Sequence, residues 1–143
     1  GGTLDKFIGD CVMAQWGAPD HAADDPDRAL AAAIDMLGAV EALNARRTAA
    51  GRPALAIGVG ITYGDVFAGN IGSERRLEFT VIGDVVNQAS RLCDVAGAGE
   101  ILLSAALRDA LNGPAPRMRP QGAAPDNGET PPAPSVYVVS RAG

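Results

Sequence analysis

The sequence predicts an α+β domain in which helices pack on one face of a sheet. Three observations predict it. Short apolar strands come in pairs joined by turns containing Gly-Asp. Two long amphipathic stretches have helical spacing. The elements follow one another as strand, strand, helix, strand, strand, helix, strand. That order is a βαββαβ-type core without its opening strand and helix. A hairpin on its own is marginal in water, so the fold is expected to begin before Gly1. The alternative is a small α+β domain complete as given.

The elements can be justified in order. Leu4, Phe7 and Ile8 lead into Gly9-Asp10, and Val12 to Trp16 return, which is a hairpin. Asp24 or Asp25 can cap a helix, with Pro26 in its first turn and Asp27 at its positive end. Leu30, Ala33, Ile34, Leu37, Val40 and Leu43 give that helix one apolar face, and polar residues 44–48 with Gly51-Arg52-Pro53 end it. Leu55, Ile57, Val59 and Ile61 alternate as a strand, Tyr63-Gly64-Asp65 turns, and Val66 to Ile71 return. Residues 73–78 are charged and read as an exposed arm. Phe79 to Ile82 is extended, and Gly83-Asp84 opens a helix whose apolar face is Val85, Val86, Ala89, Leu92, Cys93 and Ala96. Ile101-Leu102-Leu103 is a short strand, and Ser104 caps a small helix to about Leu111. Residues 113–134, rich in Pro, Gly and Ala, read as loop, and Val136 to Val139 as the last strand. There is no internal repeat, so residues 1–143 read as one domain.

Composition narrows the function. The chain has 143 residues, 47% apolar and 20% charged, enough for one soluble globular core. Its net charge of -5 and pI near 4.7 argue against a broad basic surface for nucleic acid or anionic lipid. No apolar run approaches the ~20 residues of a membrane span, so no direct membrane contact is expected from this stretch. Cys11 and Cys93 lack metal-like spacing and read as free thiols. His21, the only histidine, lies in a polar loop. No P-loop, GxGxxG-helix, zinc pattern or Ser/His/Asp triad is present. Gly58, Gly60, Gly64, Gly69 and Gly72 read as glycines at strand turns.

A few residues could carry chemistry. Lys6 is the single lysine in a chain whose other cations are arginines. Asp10 at a hairpin tip is by position a turn aspartate, yet its carboxylate also suits Mg²⁺ or Mn²⁺. Asn87 and Arg91 are four apart on one helix face, offset from its apolar side. Such a pair is commonly a solvated face, but it can also hold a sugar oxygen and a phosphate.

In sequence order these signals form three blocks. They are Lys6-Phe-Ile-Gly-Asp10-x-x-Met13-Ala14; Gly58-x-Gly60-Ile-x-x-Gly64-Asp65-Val66-x-x-Gly69-Asn-Ile-Gly72; and Phe79-Thr80-Val81-Ile82-Gly83-Asp84-x-Val86-Asn87-x-Ala89-Ser-Arg91-Leu92. From Lys6 to about Ser104 the series resembles the catalytic domain of class III nucleotidyl cyclases, which have a ferredoxin-like fold. The resemblance implies conversion of a nucleoside triphosphate to the cyclic monophosphate and pyrophosphate. It implies active sites between two catalytic domains arranged head to tail, here a homodimer, with two Mg²⁺ or Mn²⁺ per site. Asp10 matches the second metal-binding aspartate. Lys6 matches the adenine-recognising lysine, and Thr80 its partner in one adenylate cyclase subclass, which implies ATP as substrate. Asn87 matches the ribose-orienting residue and Arg91 the one that stabilises the phosphoryl transition state. The arm at 73–78 sits where the family has a dimer-contacting segment.

The chain departs from the pattern twice. The first metal-binding aspartate belongs on a strand upstream of the first hairpin, and nothing here matches it. The fragment alone is therefore expected to be inactive. Near the C-terminus the family often has a lysine close to the triphosphate; here Arg117 or Arg119 is the available substitute. The alternatives are a guanylate cyclase, or a non-catalytic cyclase-like domain that dimerises or regulates. Cytoplasmic placement is expected from the need for ATP and the unpaired cysteines, with any anchor outside this stretch.

Overall fold

A computed structural model describes residues 1–121 and 136–139. The elements are β1 (Thr3–Ile8), β2 (Cys11–Gln15), α1 (Asp25–Ala49), β3 (Val59–Ile61), β4 (Phe67–Ser73), β5 (Arg76–Ile82), α2 (Asp84–Val95), β6 (Ile101–Ser104), α3 (Ala105–Ala110), β7 (Met118–Pro120) and β8 (Val136–Val139). The α+β class is as the sequence predicts. Among the described residues, however, the strands divide into three sheets. β1 and β2 form one antiparallel hairpin and β4 and β5 another. The other four run in the order β3-β6-β8-β7, with only β3 and β6 parallel.

β6 is the centre of the core. Ile101, Leu102 and Leu103 are each no more than 1% exposed. Strand alternation sends Ile101 and Leu103 to one face, against Leu30, Ala33 and Leu37 of α1, Leu107 of α3, and Tyr137 and Val139 of β8. It sends Leu102 to the other face, against Leu92 of α2, Val136 and Val138. The expectation of helices on one face is therefore corrected: α1 and α3 cover one side and α2 the other. The unbroken apolar run in β6 is the physical reason, since a strand buried on both faces does not alternate with polar residues.

α1 runs through the polar residues 44–48 that were expected to end it. Its stop is set by backbone geometry. Gly51 takes φ 69°, its N–H donates to the Thr48 carbonyl at 3.0 Å, and the Arg52 N–H donates to the Arg47 carbonyl at 2.8 Å. This is a Schellman motif, which consumes carbonyls the helix leaves unpaired. At the other end Asp24 occupies the cap position without a side-chain cap bond. Asp25 is the buried one, accepting from the Ala22 N–H at 2.7 Å. Ser104 does cap α3, accepting from the Leu107 N–H at 3.2 Å.

Three further expectations change. Leu55 and Ile57 lie outside β3, because the Asn44 side-chain amide takes both backbone groups of Leu55, each at 2.7 Å. That bond pair holds the segment to α1 instead of to a strand. The charged arm at 73–78 is exposed as expected, but it is strand-paired and not a separate segment: the β4–β5 ladder continues to Ser73 opposite Arg76, leaving only Glu74 and Arg75 in the turn. Within the stretch expected to be loop, Met118 to Pro120 form β7 and pair with Val139 to Tyr137. The rest of that stretch, from residue 122, lies outside the described residues. Among the described residues no helix is long and apolar enough to cross a membrane.

α2 sits directly on β3. A Cβ on Gly60 would come within 2.4 Å of the Cys93 nitrogen and 2.5 Å of the Ala89 oxygen. Gly60 is thus a close-approach glycine within a strand, not a turn glycine. It brings the helix that carries Asn87 and Arg91 against the sheet.

Candidate active site

The β1–β2 hairpin brings the first group of polar side chains to β5. Its register shifts between Leu4, opposite Ala14, and Lys6, opposite Met13, so Asp5 is an extra residue on β1. The Asp5 side chain is 2% exposed and that of Lys6 is 41% exposed. Thr80 of β5, itself buried, donates its hydroxyl to the Asp5 carboxylate at 2.8 and 3.0 Å. Lys6 Nζ lies 3.5 Å from Asp5 Oδ1. Two of the residues singled out from sequence, Lys6 and Thr80, are therefore brought to one carboxylate. Asp5 itself was missed. Neighbouring strand residues ordinarily point to opposite faces, so only the irregular register could have signalled it.

The second group is on α2. Gly83, φ 152°, breaks β5 and opens the helix, and the Asn87 N–H donates to its carbonyl at 3.3 Å. Asn87 and Arg91 are both exposed, on the side of α2 away from the buried Leu92. Thr80 and Asn87 are separated only by the end of β5 and one helical turn. Asp10 stands exposed at the tip of the first hairpin, after Gly9 with φ 60°. Among the described residues there is no cluster of three or more His, Cys, Asp or Glu able to hold a metal ion, so Asp10 is not joined by two further ligands. A single carboxylate is compatible with Mg²⁺, which keeps waters and takes substrate phosphates.

Other polar groups belong to the scaffold. Arg119, one candidate for the triphosphate, pairs with Glu100 at 3.8 Å. It lies on β7, at the edge of the sheet opposite β3, where α2 packs. Arg108 stacks 4.2 Å above the Tyr137 ring and bonds Asp109, which pushes its guanidinium pKa up. Cys11 and Cys93 are free thiols, as expected. Burial pushes the Cys93 thiol up, with Cys11 beside it adding to the effect. His21 is exposed and lies 3.2 Å from Asp25. A cleft of about 220 Å³ between α1 and residues 55–57 is lined by none of the candidate site residues.

The two hairpins also expose large apolar side chains: Leu4, Phe7, Ile8 and Val12 on one, and Phe67, Ile71, Leu77, Phe79 and Ile82 on the other. Phe67 is 80% and Phe7 70% exposed. Apolar surface of that extent usually marks an interface.

Comparison with known proteins identifies the family. The family described as "Adenylate and Guanylate cyclase catalytic domain" matches residues 5–132. An uncharacterised protein of Mycobacterium tuberculosis is 40% identical over 113 residues, 78% of this chain and 19% of that protein. The chain thus spans less than a fifth of that relative. Among solved structures, the adenylyl cyclase CyaB from P. aeruginosa is 33% identical with a TM-score of 0.82, over 99% of this chain and 73% of that one. The guanylyl cyclase Cya2 is 32% identical with a TM-score of 0.80, over 96% and 68%. On these matches, the chain belongs to the adenylate and guanylate cyclase catalytic domain family.

Proposed function

We propose that this domain catalyses the adenylate cyclase reaction, converting ATP to cyclic AMP and pyrophosphate at a site shared by two copies. The observation that carries the choice of base is the convergence of Lys6 and Thr80 on Asp5. The Lys6 ammonium, a donor only, suits adenine N1. The Thr80 hydroxyl can accept from the 6-amino group. Similarity to CyaB and to Cya2 is nearly equal, at 33% and 32%. The base preference therefore rests on these two side chains.

The remaining roles follow from chemistry and position. The ribose 3′-oxygen attacks the α-phosphorus, the bond from that phosphorus to the bridging oxygen breaks, and pyrophosphate leaves. Asn87 would orient the ribose. Arg91, exposed one turn further along α2, would face the charge that builds on the α-phosphate. Asp10 would hold a divalent cation. Two such cations, when bound, favour loss of the 3′-hydroxyl proton and neutralise phosphate charge. Asp10 is the single matched metal ligand in these 143 residues, so this stretch alone is expected to be inactive.

The exposed apolar residues on both hairpins support a second copy as the partner. A two-fold arrangement of identical chains would give two equivalent sites. The need for ATP and the two free thiols support cytoplasmic placement. The test is cyclisation of ATP and GTP by the complete protein with Mn²⁺. ATP should be preferred, and Lys6→Glu with Thr80→Cys should move preference toward GTP. A wild-type protein that prefers GTP would remove the base-recognition argument.

A further inference from the structure

We propose that Asp5 is a positioning residue that sets the hydrogen-bond polarity of Thr80 and so selects a 6-amino purine nucleotide over a 6-oxo one. The inference rests on the adenylate cyclase reading above and adds to it a residue outside the Lys6/Thr80 pair.

The argument begins with the bulge. In a regular strand Asp5 and Lys6 would face opposite sides. Here β1 sets Asp5 and Lys6 against Met13 alone, because Leu4 is already opposite Ala14. A bulge of this kind re-aims side chains. It lets Asp5 reach Thr80 while Lys6 Nζ stays within 3.5 Å of the same carboxylate. The Asp5 side chain is 2% exposed, so water does not compete freely for its oxygens.

The chemistry then has a direction. A carboxylate only accepts hydrogen bonds, and a threonine hydroxyl has one hydrogen and two lone pairs. Both Asp5 oxygens lie within 3.0 Å of Thr80 Oγ1, so the hydrogen is committed to Asp5. What Thr80 keeps for a ligand is lone pairs. An exocyclic amino group at purine C6 offers a hydrogen to them, whereas a 6-oxo group offers another lone pair and is repelled. Without Asp5 the hydroxyl would turn to suit either base, and Thr80 would discriminate little.

The test uses the complete protein and reads the ratio of kcat/KM for ATP to that for GTP. Asp5→Asn keeps the shape but can donate to Thr80, freeing its hydrogen. The ratio should fall by about 10-fold or more, as expected when a matched hydrogen bond no longer excludes the wrong partner. Asp5→Ser is the second variant should Asp5→Asn not fold, and it should lower the ratio in the same direction. In a Thr80→Val background, Asp5→Asn should leave the ratio unchanged, because Asp5 acts through the hydroxyl. A general packing defect would lower both activities together and leave the ratio in place. Wild-type preference for ATP with an unchanged ratio in the folded Asp5 variants overturns this inference alone. Wild-type preference for GTP overturns the adenylate reading beneath it.

Discussion

Gly60→Ala is the most direct test of how the fold positions α2. The added Cβ would lie 2.4 Å from the Cys93 nitrogen, 2.5 Å from the Ala89 oxygen and 2.8 Å from the Leu92 Cβ. Two of these are helix backbone atoms, which cannot swing aside as a flexible side chain can. Ordinary contact begins near 3.4 Å, so α2 must retreat by about 1 Å. Overpacking of this kind costs about 1–3 kcal/mol. Thermal unfolding of this domain should move down by roughly 2–4 °C per kcal/mol. Activity should suffer more, because Asn87 and Arg91 travel with the helix. A misplacement near 1 Å can cost about 10²-fold in rate. The control is Gly38→Ala on the exposed side of α1, where nothing lies within 4 Å. It should stabilise by roughly 0.5–1 kcal/mol and leave activity alone. The assay is a thermal melt together with cyclic nucleotide formation by the complete protein. A Gly60→Ala protein with unaltered melting and turnover would refute the claim that α2 is seated through this glycine.

Two further outcomes are expected. Arg91→Ala should lower turnover by about 10²-fold or more while nucleotide binding changes little, read by comparing kcat with nucleotide affinity; near-normal turnover would take Arg91 out of the mechanism. The backbone N–H groups of Gly113 and Asn112 hold the Asp27 carboxyl below the usual carboxylate range. The stability this confers is present at neutral pH and lost as pH falls through the folded-state pKa. Asp27→Asn should therefore be less stable than wild type near neutrality and converge with it in acid. A constant gap across a denaturation series from neutral to acid pH would contradict the assignment.

The amino-acid order by itself was enough to identify the family, because three glycine- and aspartate-punctuated blocks carry both the turns and the chemistry. It also located the helices, since Leu30, Ala33 and Leu37 repeat at helical spacing and are the residues α1 buries. It put forward Lys6, Thr80, Asp10, Asn87 and Arg91 as candidates for the chemistry proposed above. Tertiary contacts decided the rest. The strand at 55–61 is shortened by the Asn44 side chain, a bond between residues eleven apart that no period in the sequence encodes. The sheet is covered on both faces because β6 is apolar throughout, while the helix that covers the second face is chosen by Gly60. Asp5 stayed hidden for the same kind of reason. Its role depends on one extra residue in β1 and on a partner 75 positions away, and a pairing register exists only once the strands have met.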